Sequence, residues 1–167
     1  MTNTNFEYTI RNAKADEVRA MAEIEAACFP ATEAASLESL TERYGVFAEN
    51  FFVVEAEGKI IGFINGAVTD GRVIPDEMYS EVNLHNPDGA YQTVFGINTL
   101  PEYRNMGIGS AMIKKMLEHA KECGRKGVIL TCKKEKLHFY TSLGFVSQGL
   151  SASTHGGATW YDMIQEF

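Results

Sequence analysis

The 167-residue chain predicts a single α/β (α+β) domain, with a mixed, mostly antiparallel twisted sheet of six to seven strands and about four helices. Three observations carry that expectation. Runs with period-2 alternation recur along the chain and are interleaved with runs of period 3.6. The resulting order, β-α-α-β-β-β-α-β-α-β-β, is too irregular for an alternating βα series. Only one step, from residues 91–100 through 108–123 to 127–132, has the length of a parallel crossover.

Each element has its own signal. In FEYTIR (6–11), Phe6, Tyr8 and Ile10 alternate as in a half-buried strand. Asp16 is placed to cap a helix with Val18, Met21, Ile24 and Cys28 on one face, ended by Pro30. ATEAAS (31–36) reads as a loop, and Ser36 as the cap of a second helix with Leu37, Leu40 and Tyr44 inward. FFVVEAEGKIIGFINGAV (51–68) is two β-rich runs about Glu57-Gly58-Lys59, a hairpin. Residues 70–90, with Pro75, Pro87 and Gly89, have little periodicity and form a long excursion. YQTVFGINTL (91–100) is strand-like again. Ile108, Met112, Met116, Leu117 and Ala120 then fall at helical intervals, with Lys114, Lys115, Glu118 and Lys121 outward and Gly124 closing the helix. GVILTC (127–132) is a strand, EKLHFYTSL (135–143) a short helix closed by Gly144, and the remainder mostly strand.

Composition narrows the partners. With 22 acidic against 15 basic side chains and a formal charge of −7, the chain lacks the basic face that nucleic acid asks for. The balance suits a cationic partner such as an amine, or solubility alone. Three cysteines without paired spacing give no disulfide frame and no zinc motif, which points to a reducing compartment. MTNTNFEYTIR has neither a charged n-region nor an apolar core, so no secretory leader is expected, and no apolar run approaches a membrane span. The expected location is cytoplasmic. The four histidines are scattered and suggest no metal site.

The stretch YRNMGIGSAMI (103–113) carries the chemistry. It is a strand feeding a glycine-rich turn and then a helix, which is a common way to hold an anionic group. Gly107 and Gly109 let an oxygen approach the backbone, Arg104 adds a forked cation and Ser110 a hydroxyl. A nucleotide-triphosphate loop needs Lys and then Ser or Thr after its last glycine, but Ser110 and Ala111 follow Gly109. A dinucleotide turn needs a third glycine where this chain has Met112. Arg-x-x-Gly-x-Gly also suits the pyrophosphate of coenzyme A, and a tight, uncharged strand-to-helix turn is the remaining reading.

NTLPEYRNMGIGSAMI resembles the acetyl-CoA-binding motif of the GNAT acetyltransferases, and HFYTSLGF, thirty residues on, resembles that superfamily's Phe-Tyr-x-x-x-Gly-Phe segment. The element order agrees over almost the whole chain, which implies a GNAT-like fold and one N-acetyltransferase domain over residues 1–167. Within the superfamily the chain is most similar to the arylalkylamine (serotonin-type) N-acetyltransferases and their bacterial relatives, through CFPATEAAS, GFINGAV and LHNPDG.

The resemblance implies an acyltransferase that moves acetyl from acetyl-CoA, as cosubstrate and without a metal, to a small primary amine in a ternary complex. Backbone N–H groups over Asn105, Met106, Gly107, Ile108, Gly109 and Ser110, with Arg104, would hold the pyrophosphate. Ile97, Asn98 and Thr99 would pair with the pantetheine arm, an N–H near Asn98 or Thr99 would polarise the thioester, and Gly96 would sit at a strand bulge. Tyr140 matches the tyrosine that serves the departing thiolate, with Lys136 one turn before it placed to lower its pKa. Counting back from Arg104, Thr93 and Phe95 stand where the arylalkylamine enzymes carry histidines, so the base must be sought elsewhere. Glu25, Glu81 and His85 are the candidates. Cys132 reads as a buried strand cysteine.

The acceptor would be held by loops 28–36, 70–90 and 150–157, where Phe29, Glu33, Asp76, Glu77, Tyr79 and Glu81 suit a cation with an apolar body, and His155 lies in the last. Nucleic acid and membrane are not expected partners, and a homodimer is left open. Two alternatives stand beside this reading: an acyl-CoA-binding sensor without turnover, and an acetyltransferase of protein N-termini or lysines.

Overall fold

Alternating side chains and short turns build most of the molecule, and the computed structural model describes residues 6–167. The first five residues of the segment read for a leader lie outside it. The chain divides into two compact units, with boundaries at Asn65/Gly66, Phe95/Gly96 and Lys115/Met116.

The first unit holds a four-stranded antiparallel sheet in the order β1-β2-β3-β6, from β1 (Thr9–Asn12), β2 (Phe51–Ala56), β3 (Lys59–Asn65) and β6 (Gly96–Thr99). The β2–β3 hairpin turns through Glu57 and Gly58, both at positive φ (53° and 77°). Helices α1 (Val18–Cys28) and α2 (Leu37–Phe47) belong to this unit. Val18, Met21 and Ile24 of α1 are buried as the spacing predicts, and so is Glu25. The start of α1 differs from expectation. Asp16 is not its cap: a 3₁₀ turn at Ala15–Glu17 precedes it, with Glu17 accepting from the Lys14 N–H (2.8 Å) and bridging to Arg11 (2.7 Å). Ser36 does cap α2, accepting from the Ser39 N–H at 3.1 Å. Leu37, expected inward, is 37% exposed, and the buried positions of α2 are Leu40, Arg43 and Phe47.

The second unit holds a five-stranded sheet in the order β4-β5-β7-β9-β8, from β4 (Val68–Thr69), β5 (Tyr91–Val94), β7 (Gly127–Cys132), β8 (Val146–Leu150) and β9 (Tyr161–Glu166). Only β5–β7 is parallel, joined through α3 (Ile108–Glu122) as the crossover length predicts. Helix α4 (Leu137–Ser142) precedes β8. The nine strands among the described residues exceed the expected six to seven because two runs break. Residues 51–68 yield a separate β4, and 91–100 is interrupted at Phe95, so that β5 and β6 pair into different sheets. The excursion 70–90 is not featureless either: it forms 3₁₀ turns at Asp76–Tyr79 and Val82–Leu84 and buries Ile74 and Met78.

Candidate active site

The glycine turn has the backbone shape of an anion cradle. Asn105 (φ 63°) and Gly107 (φ 80°) both stand in the left-handed region, which turns the chain sharply between the extended Arg104 and the first turn of α3. Asparagine tolerates that region better than most residues and glycine adopts it without strain. A Cβ on Gly107 would meet nothing within 4 Å, so the concavity is open. The Gly107 carbonyl accepts the Ala111 N–H (3.1 Å), which leaves the N–H groups of Ile108, Gly109 and Ser110 at the positive end of α3 without partners inside the helix. These groups fit a pyrophosphate. Arg104 is exposed, and its Nε donates to the Thr99 carbonyl at 3.1 Å. The Cys28 thiol donates to the same oxygen (3.4 Å). Burial pushes the Cys28 thiol up, and Arg104 opposes the shift.

Strand β6 ends the order of its sheet, so one edge has no strand partner there. Its inner face is polar. Asn98, 2% exposed, donates from Nδ2 to Glu25 Oε1 (3.1 Å), and Glu25 Oε2 accepts the Ala35 N–H (3.0 Å), tying α1 to the loop 29–36. Asn65, fully buried on β3 opposite Gly96, accepts from Arg43 at 3.5 Å. Asn98 Oδ1 and Asn65 Nδ2 make no hydrogen bond.

In the second unit, Tyr140 is 6% exposed and packs edge-on against Phe139 (5.0 Å between ring centroids) and Phe145 (5.8 Å). Burial, with the Cys132 sulfur next, pushes its phenol well above the ordinary tyrosine value. Lys136, expected to lower it, is exposed and contributes nothing to the shift. Burial and the Glu135 charge push the Cys132 thiol up to about 11, which leaves it protonated near neutrality and suits a strand-core cysteine. Thr93 is fully buried, and its Oγ1 donates to the Ala67 carbonyl at 2.8 Å.

The candidate bases of this unit separate. Glu81 is exposed on the excursion. His85 Nδ1 accepts the Val68 N–H at 3.0 Å, pinning the excursion to β4. Tyr79 instead gathers a cluster: its ring lies 4.8 Å from Phe95 and 5.3 Å from His155, and its hydroxyl is 3.0 Å from Thr131 Oγ1. Asp76 anchors the 151–157 loop through Ser153 Oγ and the Thr154 N–H (3.0 Å). Burial works against its charge, but these hydrogen bonds hold its carboxyl below the usual carboxylate range.

Asn65 and Arg43 were not anticipated. Asn65 sits two residues after Phe63 on the face turned toward α1, and a lone amide at a core position of an apolar run was the available signal. Arg43 occupies the helical interval between Leu40 and Phe47, both fully buried. Among the described residues no group of three or more His, Cys, Asp or Glu is arranged to hold a metal ion, and no helix is long and apolar enough to cross a membrane.

Comparison with known proteins bears on the same elements. The model of the acetyltransferase (GNAT) family matches residues 18–145. The chain is 31% identical over 150 residues to the probable hydrolase YhcX of Bacillus subtilis (strain 168), covering 82% of this chain and 28% of that protein. It is 33% identical over 100 residues to the uncharacterized N-acetyltransferase MJ1207 of Methanocaldococcus jannaschii, covering 58% and 39%. The chain thus spans well under half the length of these curated relatives. Among solved structures, a GphF GNAT-like decarboxylase in complex with isobutyryl-CoA superposes with a TM-score of 0.83 at 22% identity, over 95% of this chain and 98% of that one, a likeness of fold.

Proposed function

The chain belongs to the acetyltransferase (GNAT) family, and on that premise we propose that it is an acetyl-CoA-dependent N-acetyltransferase of a small primary amine, working by direct attack within one domain. The observation that carries the reading is the Asn105–Gly107 left-handed turn delivering three unmatched N–H groups of α3 beside Arg104. When bound, acetyl-CoA supplies the thioester. The N–H groups of Ile108, Gly109 and Ser110 hold its pyrophosphate, and the edge of β6 over Ile97–Thr99 pairs with its arm. Arg104 swings from the Thr99 carbonyl toward phosphate.

Tyr140 serves the departing sulfur as a neutral hydrogen-bond donor. An ordinary phenol (about 10) is already a weaker acid than a thiol (about 8.5), and burial moves this one further in that direction. The acceptor is a small primary amine, a cation whose body suits the aromatic and acidic side chains of the excursion 70–90. A second reading, an acyl-CoA sensor without turnover, draws support from Thr93, whose hydroxyl is bound to Ala67 where the arylalkylamine enzymes carry a histidine.

The test is release of CoA thiol from acetyl-CoA against arylalkylamines, polyamines, aminoglycosides and amino-acid amines. Tyr140→Phe is expected to lower kcat about 100-fold. Gly107→Val, which forces a β-branched residue to φ 80°, is expected to weaken acetyl-CoA about tenfold, since left-handed strain costs about 1–2 kcal/mol. Tight acetyl-CoA binding with no release for any amine would favour the sensor.

A further inference from the structure

The transferase reading needs a group to take the proton of an ammonium, and neither Thr93 nor Phe95 can do so. The first unit holds a buried polar cluster with a carboxylate at its centre. Glu25 is 6% exposed, Asn98 2% and Asn65 0%. Asn98 and Gly96 share the face of β6 turned toward α1, and Asn65 pairs with Gly96 across β3. Glu25 reaches down onto that face from the last turn of α1.

Two observations indicate that the cluster is built around something besides itself. Asn98 Oδ1, an acceptor, and Asn65 Nδ2, a donor, are buried without hydrogen-bond partners, although each of these side chains is fixed by its other end, Asn98 Nδ2 to Glu25 and Asn65 Oδ1 to Arg43. Leaving such groups unmatched costs about 1–3 kcal/mol each, which a polar guest would offset. The absent side chain of Gly96 supplies the opening. A Cβ there would stand 3.5 Å from Glu25 Oε1, 3.6 Å from Asn98 Nδ2 and 3.7 Å from Asn65 Nδ2. A water standing off that α-carbon would accept from Asn65 Nδ2 and donate to Asn98 Oδ1 and Glu25 Oε1, with one lone pair left for a donor on the β6 side.

We propose that Glu25 receives the proton of the acceptor's ammonium, through one water held by Asn65 and Asn98 on the open side of Gly96. The inference rests on the transferase reading. The N–H bond of the ammonium breaks, nitrogen keeps the electron pair, and the proton passes to the water as the water's own proton moves to the Glu25 carboxylate. The freed pair forms the C–N bond as the C–S bond breaks. Nitrogen's second proton ends on the departing sulfur, and the proton on Glu25 is later lost to solvent.

Charged and titratable groups at the cluster include Arg43 of α2, which donates to Asn65, and Cys28 one turn further along α1, on which both Glu25 and Arg104 act.

The test uses the full chain with 2-phenylethylamine and spermidine as probe amines, from pH 6 to about 10, alongside nitrogen-15 NMR of the side-chain amides without any amine. A long-lived water contact at the Asn65 amide protons is expected. Glu25→Gln is expected to lower kcat/KM about 100-fold at pH 7, with acetyl-CoA affinity within about twofold, and to approach wild type near pH 10, where the amine is increasingly neutral. Gly96→Ala keeps every polar group but puts a methyl in the opening, and is expected to reproduce that pH signature even if Glu25→Gln folds poorly. A deficit equal at every pH, or no water contact at Asn65, overturns the inference. Wild type that binds acetyl-CoA but releases no thiol with either amine overturns the transferase reading instead.

Discussion

Strands β5 and β6 come from one continuous run, YQTVFGINTL, yet they bury amides on opposite terms. On β5, Gln92 Nε2 donates to the carbonyls of Gly66 (3.0 Å), Ala67 (3.2 Å) and Thr93 (2.9 Å), and Thr93 Oγ1 also reaches Ala67. On β6 and its partner β3, Asn98 and Asn65 each keep one buried polar atom unmatched. A satisfied buried amide rigidifies a fold, whereas an unmatched one is a cost that a ligand or water can offset. The difference marks β6, and not β5, as the strand with polar atoms left over for a guest.

The largest effect is expected where satisfaction is complete. Gln92→Leu removes the shared donor of three buried carbonyls, so stability should fall by about 2–3 kcal/mol and the melting midpoint by about 5–10 °C. Acetyl-CoA affinity, measured calorimetrically at a temperature where the variant is folded, should stay within about twofold. A loss of affinity with an unchanged midpoint would reverse the roles assigned to the two strands.

Two thiols sharpen the contrast. Cys132, on β7 beside β5, is raised by burial from the ordinary 9.0 to about 11, whereas Cys28, the last residue of α1 and bonded to Thr99 at the end of β6, has Arg104 opposing its burial. Under iodoacetamide at pH 8, followed by mass spectrometry, Cys132 should react about 100-fold more slowly than the exposed Cys123, with Cys28 between them. CoA should slow Cys28 alone. The same shift makes stability pH-dependent. Below 9.0 the folded and unfolded thiols are both protonated, and between 9.0 and about 11 only the unfolded one ionises, so stability falls as pH rises through that window. Tyr140, also raised by burial, adds in the same direction above 10.0. Urea midpoints at pH 8 and pH 10.5 measure the drop, and equal midpoints would contradict the burial of both groups.

How legible all this was depended on how local the cause is. The Ser36 cap, the α3 stripe and the β7 run are set by neighbours within a few residues, and their positions followed from spacing alone. The glycine turn was legible for the same reason, since Asn105 and Gly107 carry their conformational preference in their own side chains. The break at Phe95 was not, because it is decided by which distant strands, β3 or β7, each half pairs with. The start of α1 was misjudged because Glu17 answers to Arg11 and Lys14 instead of Asp16 capping the helix. The Glu25 cluster draws on α1, α2, β3 and β6 at once, so its parts were visible as residues and invisible as a group.

The smallest expected effect on stability is the sharpest test of the comparison. Asn65 is more deeply buried than Gln92, at 0% against 1%, so a rule based on burial alone makes Asn65→Leu the costlier change. The hydrogen bonds say otherwise. Leucine at 65 removes an unmatched Nδ2 and gives up one 3.5 Å contact with Arg43, whereas at Gln92 two N–H donors shared among three carbonyls are lost. The swap keeps the number and branching of side-chain heavy atoms, so it opens no cavity. Unfolding free energy should therefore change by less than about 1 kcal/mol, in either direction. On the proposed proton path, the loss of this donor removes a tether of the water, and kcat/KM for an alkylamine at pH 7 should fall about tenfold, recovering as pH approaches the amine's own pKa. Parallel melts of Asn65→Leu and Gln92→Leu decide the matter. Equal losses of stability would mean that Asn65 is a structural amide like Gln92 and that β6 owes its unmatched atoms to packing, while a stable Asn65→Leu with the pH-dependent deficit ties those atoms to the chemistry.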